Sequence, residues 1–126
     1  MTADCPFCAR IAAGETTHRT GSAAAICDAF PVSPGHTLVV PLRHVADYFE
    51  LGADEQHALM DLVNTVRASL DLERSPDGYN IGVNVGAAAG QTVGHVHVHV
   101  IPRYAGDAPD PRGGVRWVFP ERARYW

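Results

Sequence analysis

The segment from Gly94 to Ile101 alternates histidine with valine, and no other part of the chain constrains the fold as strongly. Side chains of a β-strand point alternately to its two faces, so a period of two predicts a strand with one apolar face and one histidine-bearing face. We therefore predict a strand over residues 95–101. Its valines would face a covering helix, and its histidines would form a row on the opposite face: His95, His97 and His99.

The helix that would cover the valine face lies between Asp54 and about Leu72. Asp54 is a candidate N-cap because its carboxylate can accept the free N–H groups of a first helical turn. Apolar residues recur after it at the spacing of one helix face. These residues are Leu59, Leu62, Val63, Val66 and Leu70.

Turn-forming residues separate the other predicted elements from one another. These elements are a short helix over residues 7–13 and strands over residues 22–30, 37–42 and 79–85. Consecutive strands joined by short turns, together with one long helix, indicate an antiparallel sheet with a helix packed on one face. We predict an α+β fold with an antiparallel sheet of about five strands, one long helix and a short N-terminal helix.

The length of 126 residues suits one hydrophobic core. We expect a single domain over residues 1–126, with its core over about 5–103 and an irregular C-terminal extension over 104–126. Arg supplies all 10 positive charges and Asp plus Glu supply 14 negative ones, so the net charge is −4. This balance excludes a nucleic acid coat and a polybasic membrane surface, because both need clustered positive charge.

The predicted location rests on the absence of a membrane-spanning run and of a secretory signal from the sequence. No apolar run approaches the ~18 residues that a membrane span needs. The first residues do not combine a basic start with a long apolar stretch, which is typical of a secretory signal. We expect a cytoplasmic protein that contacts no membrane.

Two of the three cysteines form the group Cys5-Pro-Phe-Cys8. A disulfide framework is not expected in a reducing cytoplasm, so the pair is redox-active, metal-binding or incidental, and its spacing alone does not decide. Cys27 lies among apolar residues, and we predict that it is a small buried hydrophobic side chain.

Two kinds of chemistry fit a row of histidines on one strand face. Residues two apart lie roughly 6.6 Å apart along a strand, whereas zinc holds its ligand nitrogens at about 2.0–2.1 Å, so a straight row of three converges poorly on one metal. A catalytic metal site would need a bend in the strand. Alternatively, an imidazole acts as a nucleophile or an acid, because it titrates close to neutral pH.

The loop before the histidines favours the nucleophile or acid. Residues 84–94 are rich in Gly and Ala, so a ligand can approach the backbone closely and the amides can bind an anion. Asn84, Gln91 and Thr92 add neutral hydrogen-bond donors. The loop is not a Walker loop, because no Gly-Lys-Ser/Thr follows. It therefore predicts a phosphate pocket beside the histidine strand.

The pattern His-x-His-x-His followed by two apolar residues resembles the motif of the histidine triad (HIT) family. Three further blocks resemble segments of that family in order and spacing: residues 30–44, 79–86 and 90–92. The resemblance implies a HIT-like, homodimeric fold that binds an adenosine mono- or dinucleotide derivative at the histidine strand. It also implies cleavage at the α-phosphorus through a covalent nucleotidyl-histidine.

The resemblance assigns catalytic roles to histidines. His97 would be the nucleophile, and His99 would contact the phosphate and the leaving-group side. His36 would help to set the hydrogen bonding of His97, with a backbone carbonyl on one ring nitrogen leaving the other free to attack. The alternative for His36, which follows a Pro-Gly turn, is a solvated loop residue.

The resemblance also assigns residues to nucleotide binding. Asp28 falls where the family places an acceptor for the ribose hydroxyls, although it would also fit the end of a strand. The α-phosphate and its bridging oxygen would be held as charge develops there. The residues implied are Asn84, Gly90, Gln91, Thr92 and His99.

A structural zinc is implied by the resemblance to some bacterial HIT proteins and to the related galactose-phosphate uridylyltransferases. Their ligands are a Cys-x-x-Cys, a histidine after the Pro-Gly-His block and the first motif histidine. Here those positions are Cys5, Cys8, His44 and His95. A closed Cys₂His₂ set suits structure rather than catalysis and would tether the N-terminal region to the histidine strand. The alternative is a reduced cysteine pair that holds no metal.

The C-terminal extension is longer than in the compact phosphoramidases of the family. We therefore predict dinucleoside polyphosphate hydrolysis, with purine nucleoside phosphoramidate hydrolysis as the alternative. A non-catalytic nucleotide-binding scaffold and a metal hydrolase that uses the histidine row directly remain as further hypotheses. Side chains that would contact a polyphosphate or a base, or instead pack at a dimer interface, are Arg103, Arg112, Arg116, Trp117 and Trp126.

Overall fold

The computed structural model describes residues 4–126. Residues 1–3 of the predicted domain lie outside the described part. Two α-helices are present, α1 (Pro6–Ala12) and α2 (Ala53–Arg74). The strands are β1 (His18–Arg19), β2 (Ala23–Cys27), β3 (Thr37–Pro41), β4 (Gly78–Val83) and β5 (Val98–Arg103).

The five strands form one antiparallel sheet in the order β1-β2-β3-β5-β4. This arrangement confirms the predicted α+β class, the strand number and the two helices. Within residues 4–126, no helix is long and apolar enough to cross a membrane.

Helix α2 covers one face of the sheet and forms the larger hydrophobic core. Its predicted apolar stripe is buried against the valines of the histidine segment, Val96, Val98 and Val100. The predicted division of that segment into a valine side and a histidine side is therefore correct. Burial of this apolar surface, at about 25 cal/mol per Å², is the main force that holds the helix to the sheet.

Helix α1 covers only half of the other sheet face, over β2 and β3. Phe7 and Ile11 of α1 pack there on Ile26, Leu38 and Val40. In the described chain, no α-helix covers the second half of this face, over β5 and β4, and a 3₁₀ helix of the C-terminal extension, Gly114–Val118, borders it at Asn80. Since Leu38 and His99 are directly paired, His99 lies at the boundary between the covered and the open half.

The predicted strand over residues 95–101 begins later than expected, at Val98, and extends to Arg103. The backbone N–H of Val96 donates to the carbonyl of Val45 (2.8 Å) instead of joining the sheet. The chain bends at residues 93–95, before the strand starts, so His95 lies in the bend and His97 lies between the bend and the strand.

Helix α2 begins before the predicted N-cap, Asp54. Gly52 is the N-cap residue, and its backbone N–H donates to the side chain of Glu55 (3.0 Å). Glu55 thus supplies half of a capping box, which allows the helix to start at Ala53. The extension also contains more local structure than predicted, with short 3₁₀ helices over Gly114–Val118 and Pro120–Arg122.

The prediction that Cys27 is buried is wrong, because its side chain is exposed. Cys27 lies on the same face as Ala23 and Ala25, which are fully buried, but it is the last residue of β2. Its apolar neighbours in sequence therefore do not cover it at the end of the strand.

Replacing Leu59 by Ala should lower the free energy of unfolding by about 2–5 kcal/mol, because the side chain is buried in the α2 core. Leu72→Ala is the matched control in the same helix. Leu72 is 89% exposed, so its replacement should change stability by no more than about 0.5 kcal/mol. Urea unfolding of the two variants measures both values, and equal losses would contradict the assigned packing of α2.

Candidate functional site

The bend before β5 directs the three motif histidines to three different sets of partners. His95 is fully buried and contacts Cys5, Cys8 and His44. His97 donates to the backbone of its own segment, and His99 contacts His36. The three histidines therefore lie on one side of the segment, with the rings of His97 and His99 5.1 Å apart, but each has its own hydrogen-bond partner.

The structure brings together the four predicted metal ligands. Nδ1 of His95 lies 3.5 Å from both cysteine sulfurs and 3.2 Å from Nδ1 of His44. Sγ of Cys8 lies 3.3 Å from the same atom of His44. Ligand atoms around a tetrahedral zinc are about 3.3–3.8 Å apart for ordinary Zn–N and Zn–S bonds. The cluster of Cys5, Cys8, His44 and His95 therefore has the spacing of a closed Cys₂His₂ metal site.

The hydrogen bonding of His95 fits a metal ligand. Its Nε2–H donates to the carbonyl of Pro41 (2.8 Å), which leaves the Nδ1 lone pair directed at the cluster. Metal-bound histidines are commonly held in this way by a backbone carbonyl. Burial lowers the pKa of His95, so the imidazole stays neutral and able to bind a cation.

Helix α1 positions both cysteines. Cys5 is its N-cap, and Sγ accepts the backbone N–H of Cys8 (3.4 Å). Pro6 at the first helical position suits this start, because a proline has no N–H to leave unpaired there. Burial raises the pKa of the Cys5 thiol, and a bound cation would reverse this by stabilising the thiolate.

His97 is held in one tautomer by the backbone. Its Nδ1 lies 2.9 Å from the carbonyl oxygen of His95. A carbonyl oxygen only accepts hydrogen bonds, so Nδ1 carries the proton and Nε2 keeps its lone pair. The ring of Phe7 packs edge-on against His97 with the centroids 4.9 Å apart. These two contacts fix the tautomer and limit rotation of the ring.

His36 contacts His99 and Asp28, and its expected influence on the hydrogen bonding of His97 stays a prediction. Its Nε2 lies 2.9 Å from Nδ1 of His99 and 3.3 Å from a carboxylate oxygen of Asp28. The carbonyl of His95 is the backbone carbonyl that was expected on one ring nitrogen of His97.

His36 and His99 form a directed hydrogen-bond chain. The backbone N–H of Val32 donates to Nδ1 of His36 (3.2 Å), so the proton of neutral His36 is on Nε2. That proton can be donated to Nδ1 of His99, which places the proton of His99 on its own Nε2. Neutral His99 therefore offers an N–H to a ligand.

Burial lowers the pKa of both His36 and His99 and so favours their neutral forms. The negative charge of Asp28 opposes this effect at each histidine. For His99, the nearby His97 and His36 lower the pKa further. The electrostatics thus agree with the neutral hydrogen-bond chain.

Asp28, His36 and His99 also lie close enough together to be considered as a metal site. However, the His36–His99 nitrogen separation of 2.9 Å is a hydrogen-bond distance. It is shorter than the roughly 3.3 Å expected between two nitrogens on a tetrahedral zinc. We therefore interpret this group as a hydrogen-bonded network.

A cleft of about 370 Å³ lies in front of His97 and His99. The predicted nucleotide-binding residues at its walls are Asp28, Asn84, Gly90 and Thr92. The cleft therefore collects most of the residues that the sequence analysis assigned to the nucleotide.

Gln91 is the exception among the predicted nucleotide-binding residues, because it does not line the cleft. Its side-chain oxygen accepts the N–H of Gly86 (2.9 Å). Its side-chain nitrogen donates to the carbonyls of Ala46 and Val93 (2.8 and 3.0 Å). Gln91 therefore holds the loop in shape in this structure.

Asp28 borders the cleft, and its carboxylate also stabilises the turn that follows β2. One carboxylate oxygen accepts the backbone N–H of Phe30 (2.8 Å), and the other faces His36 (3.3 Å). The chain turn after β2 thus depends on the same carboxylate that borders the cleft.

The cleft walls also include residues that were not predicted from the sequence, among them Phe7, Arg10 and Phe30. Phe7 lies between Cys5 and Cys8 in the sequence. Its place between two predicted metal ligands was the signal that could have indicated a position near the histidine strand. Phe30 is an apolar residue in a turn-rich connection, and it is 87% exposed at the cleft wall. Its exposure could not be inferred from the sequence pattern.

The stability of the metal-loaded protein should decrease as the pH falls from about 7.5 to 5.5. The folded pKa values of His36 and His99 are lowered, so below about 6.5 the unfolded chain takes up protons that the folded chain does not. The stability that these two histidines contribute is fully present above the pKa of histidine in the unfolded chain. It is lost as the pH falls from there through the lower pKa values of His36 and His99 in the folded protein.

Urea unfolding across this pH range measures the effect. His36→Gln should give a shallower dependence than the wild type. His57→Gln, at an exposed position of α2, should keep the wild-type dependence. Equal pH dependence in all three proteins would contradict the assignment.

The geometry agrees with comparisons to known proteins. The HIT domain profile matches residues 13–106. An uncharacterized HIT-like protein of Mycoplasma genitalium is 38% identical over 106 residues, which cover 82% of this chain and 75% of the relative. A bis(5'-nucleosyl)-tetraphosphatase (asymmetrical) of Schizosaccharomyces pombe is 41% identical over 90 residues, which cover 71% of this chain and 50% of that enzyme.

A solved structure with a similar fold is that of a zinc-bound histidine triad family protein from Mycobacterium smegmatis. It superimposes with a TM-score of 0.76 at 31% sequence identity and covers 85% of this chain and 84% of its own. The family match extends over most of the sheet, over α2 and over the complete histidine motif. This chain belongs to the HIT family.

Proposed function

We propose that this protein is a nucleotide hydrolase that cleaves dinucleoside polyphosphates at the α-phosphorus, with His97 as the nucleophile. The observation that carries the proposal is the hydrogen bond from Nδ1 of His97 to the carbonyl of His95 (2.9 Å). It keeps the Nε2 lone pair available in a cleft that is also lined by loop residues suited to a phosphate.

In the first step, Nε2 of His97 forms a bond to the α-phosphorus while the bond to the bridging oxygen breaks. The electron pair of the broken bond goes to the leaving polyphosphate oxygen. The imidazole keeps its Nδ1–H throughout, and the carbonyl of His95 stabilises the positive charge that the ring acquires. The leaving group departs as a nucleoside polyphosphate.

In the second step, a water oxygen forms a bond to the same phosphorus and the bond to His97 breaks. One proton of the water is released to solvent, and neutral His97 returns with its Nδ1–H in place. The products are a nucleoside monophosphate and a nucleoside polyphosphate. Attack by another acceptor in place of water would give a nucleotidyl transfer at the same site.

His99 is proposed to donate its Nε2–H to the oxygen on which negative charge develops. The orientation of His99 comes from His36, whose own orientation comes from the backbone of Val32. Preorganised donors of this kind lower the barrier because they need little reorganisation during the reaction. Asn84 and Thr92 of the loop are proposed to bind the α-phosphate, and Asp28 the ribose hydroxyls.

We propose zinc as the metal of the Cys₂His₂ cluster and a structural role for it. When bound, zinc would cross-link α1 to the bend before β5, because Cys5 and Cys8 flank the start of that helix and His95 lies in the bend. The carbonyl of His95 orients His97, so the cluster supports the nucleophile without contacting the substrate. The required reduced thiols are consistent with the predicted cytoplasmic location.

A homodimer is proposed from the edge of the sheet. β4 is an edge strand, and it pairs only with β5 within the described chain. Ile81 on this strand is 41% exposed. An exposed strand edge can pair with the same edge of a second copy. Sedimentation equilibrium would show whether the purified protein is a dimer.

Release of AMP from diadenosine tetraphosphate should fall by roughly 10³-fold or more in His97→Ala. The matched control is His57→Ala, because His57 is an exposed histidine of α2, and its activity should stay within about twofold of the wild type. Quenching in alkaline denaturant during turnover of a substrate labelled at the α-phosphorus should trap labelled wild-type protein, because a phosphorus–histidine bond is stable in alkali. Substantial activity in His97→Ala would contradict the nucleophile. Nucleotide binding without AMP release from any substrate would favour the scaffold hypothesis.

Removal of zinc with a chelator should lower the melting temperature, because a structural site contributes its binding free energy to folding. Cys8→Ser should show a similarly low melting temperature and no response to the chelator. Cys27→Ser is the control at the exposed cysteine and should respond as the wild type does.

The same experiment tests the metal hydrolase hypothesis. Activity per folded molecule should persist after chelation at a temperature where the metal-free protein remains folded. Loss of all activity with unchanged stability, followed by recovery on adding zinc, would favour direct metal catalysis.

A further inference from the structure

Three consecutive residues after β3 connect the metal cluster to the loop that is proposed to hold the phosphate. His44 supplies its Nδ1 to the cluster. The carbonyl of Val45 accepts the N–H of Val96 (2.8 Å) and so fixes the bend before β5. The carbonyl of Ala46 accepts a hydrogen bond from the side-chain nitrogen of Gln91 (2.8 Å). We call this segment, from His44 to Ala46, the connector.

Gln91 fastens the loop to the connector. Besides its bond to Ala46, its side-chain nitrogen donates to the carbonyl of Val93 (3.0 Å), and its side-chain oxygen accepts the N–H of Gly86 (2.9 Å). Both N–H groups of the amide are therefore in use. An amide that is bonded to the connector and to both ends of the loop transmits a displacement of one to the other.

The residues on either side of Gln91 line the nucleotide cleft. They are Gly90 and Thr92. Gly90 has a φ of +90°, in the left-handed region that favours glycine. The direction of the loop's backbone amides thus depends on the turn that the Gln91 side chain closes.

The opposite side of the same loop segment faces the metal ligands. A cavity of about 320 Å³ has walls that include Cys5, His44 and residues 92–94. Thr92 lines both this cavity and the nucleotide cleft. Residues 92–94 therefore separate the metal cluster from the nucleotide site.

The position of the connector depends on the cation. Nδ1 of His44 lies 3.2 Å from Nδ1 of His95 and 3.3 Å from Sγ of Cys8. A cation holds such atoms together because each directs a lone pair at it, whereas without the cation these lone pairs repel one another. The adjoining cavity gives the half-buried His44 the space to move away.

We propose that Gln91 is a positioning residue that couples the metal cluster to nucleotide binding. Occupancy of the cluster fixes the connector, and Gln91 transmits this to Gly90 and Thr92. The inference rests on the proposed function and goes beyond it, because the metal then sets the affinity for the nucleotide as well as the stability. Such a coupling is reciprocal, so a bound nucleotide must raise the affinity for zinc by the same factor.

The test uses AMP as the probe, with calorimetry on the purified full chain at a temperature where the metal-free protein remains folded. Removal of zinc from the wild type should weaken AMP binding by roughly 5–150-fold. AMP should strengthen zinc binding, measured with a competing chelator, by the same factor. The value of KM for diadenosine tetraphosphate should rise without zinc, while kcat should change little because the metal contacts no substrate.

Gln91→Met keeps the length of the side chain and lacks its hydrogen bonds. Zinc-loaded Gln91→Met should bind AMP more weakly than the zinc-loaded wild type, and removal of zinc should weaken its AMP binding little further. Gln56→Met is the matched control, because the side-chain nitrogen of Gln56 also donates to a backbone carbonyl, that of Tyr48 (3.2 Å), outside the connector and the loop. It should keep the full effect of zinc on AMP binding.

Equal AMP affinity of zinc-loaded and metal-free wild type would overturn the coupling, and this comparison stands even if Gln91→Met does not fold. A wild-type zinc effect in Gln91→Met, or an equal loss of the effect in Gln56→Met, would overturn the role of Gln91. Failure of the coupling alone leaves AMP binding and AMP release intact in every form of the protein. Absence of both in every form would instead overturn the proposed function, and the coupling with it.

Discussion

The bend before β5 is the constraint on which the site depends. It is held by two backbone carbonyls: that of Pro41 accepts from the His95 ring, and that of Val45 accepts from the N–H of Val96. Residues two apart on an extended chain lie roughly 6.6 Å apart, and the ring centroids of His97 and His99 are 5.1 Å apart here, so neighbouring histidines can have different partners. Because the chain bends, one histidine enters the metal cluster, the next is oriented by a carbonyl, and the third joins a hydrogen-bond chain.

The two faces of the sheet have different tasks. Helix α2 covers one face and supplies most of the apolar burial that holds the domain together. On the other face, α1 covers β2 and β3 only, which leaves β5 and β4 open beside the cleft. Helix α1 also carries Cys5 and Cys8 and packs Phe7 against His97. One short helix thus connects the metal cluster, the nucleophile and the wall of the cleft.

The spacing of apolar residues along the sequence predicted which helices and strands form better than it predicted where they begin and end. The apolar stripe of α2 and the valine alternation indicated the right packing. Buried side chains recur every 3.6 residues on a helix and every two residues on a strand, so these patterns can be read from the sequence. The end of a strand or a helix depends on particular partners instead. Glu55 moved the start of α2 to Ala53, and the carbonyl of Val45 delayed the start of β5 to Val98. Cys27 was misjudged for a similar reason, since it is the last residue of β2 and its side chain is exposed there.

The sequence by itself determined the fold class, the apolar faces and, through its resemblance to the HIT family, the set of chemical groups at the site. Those properties depend on residue type and on spacing along the chain. Only the tertiary structure decided which groups meet: His36 with His99, Gln91 with the carbonyl of Ala46, and Val115 with the open half of the sheet. Such contacts join segments far apart in sequence, and their geometry depends on bends and turns that single residues do not specify.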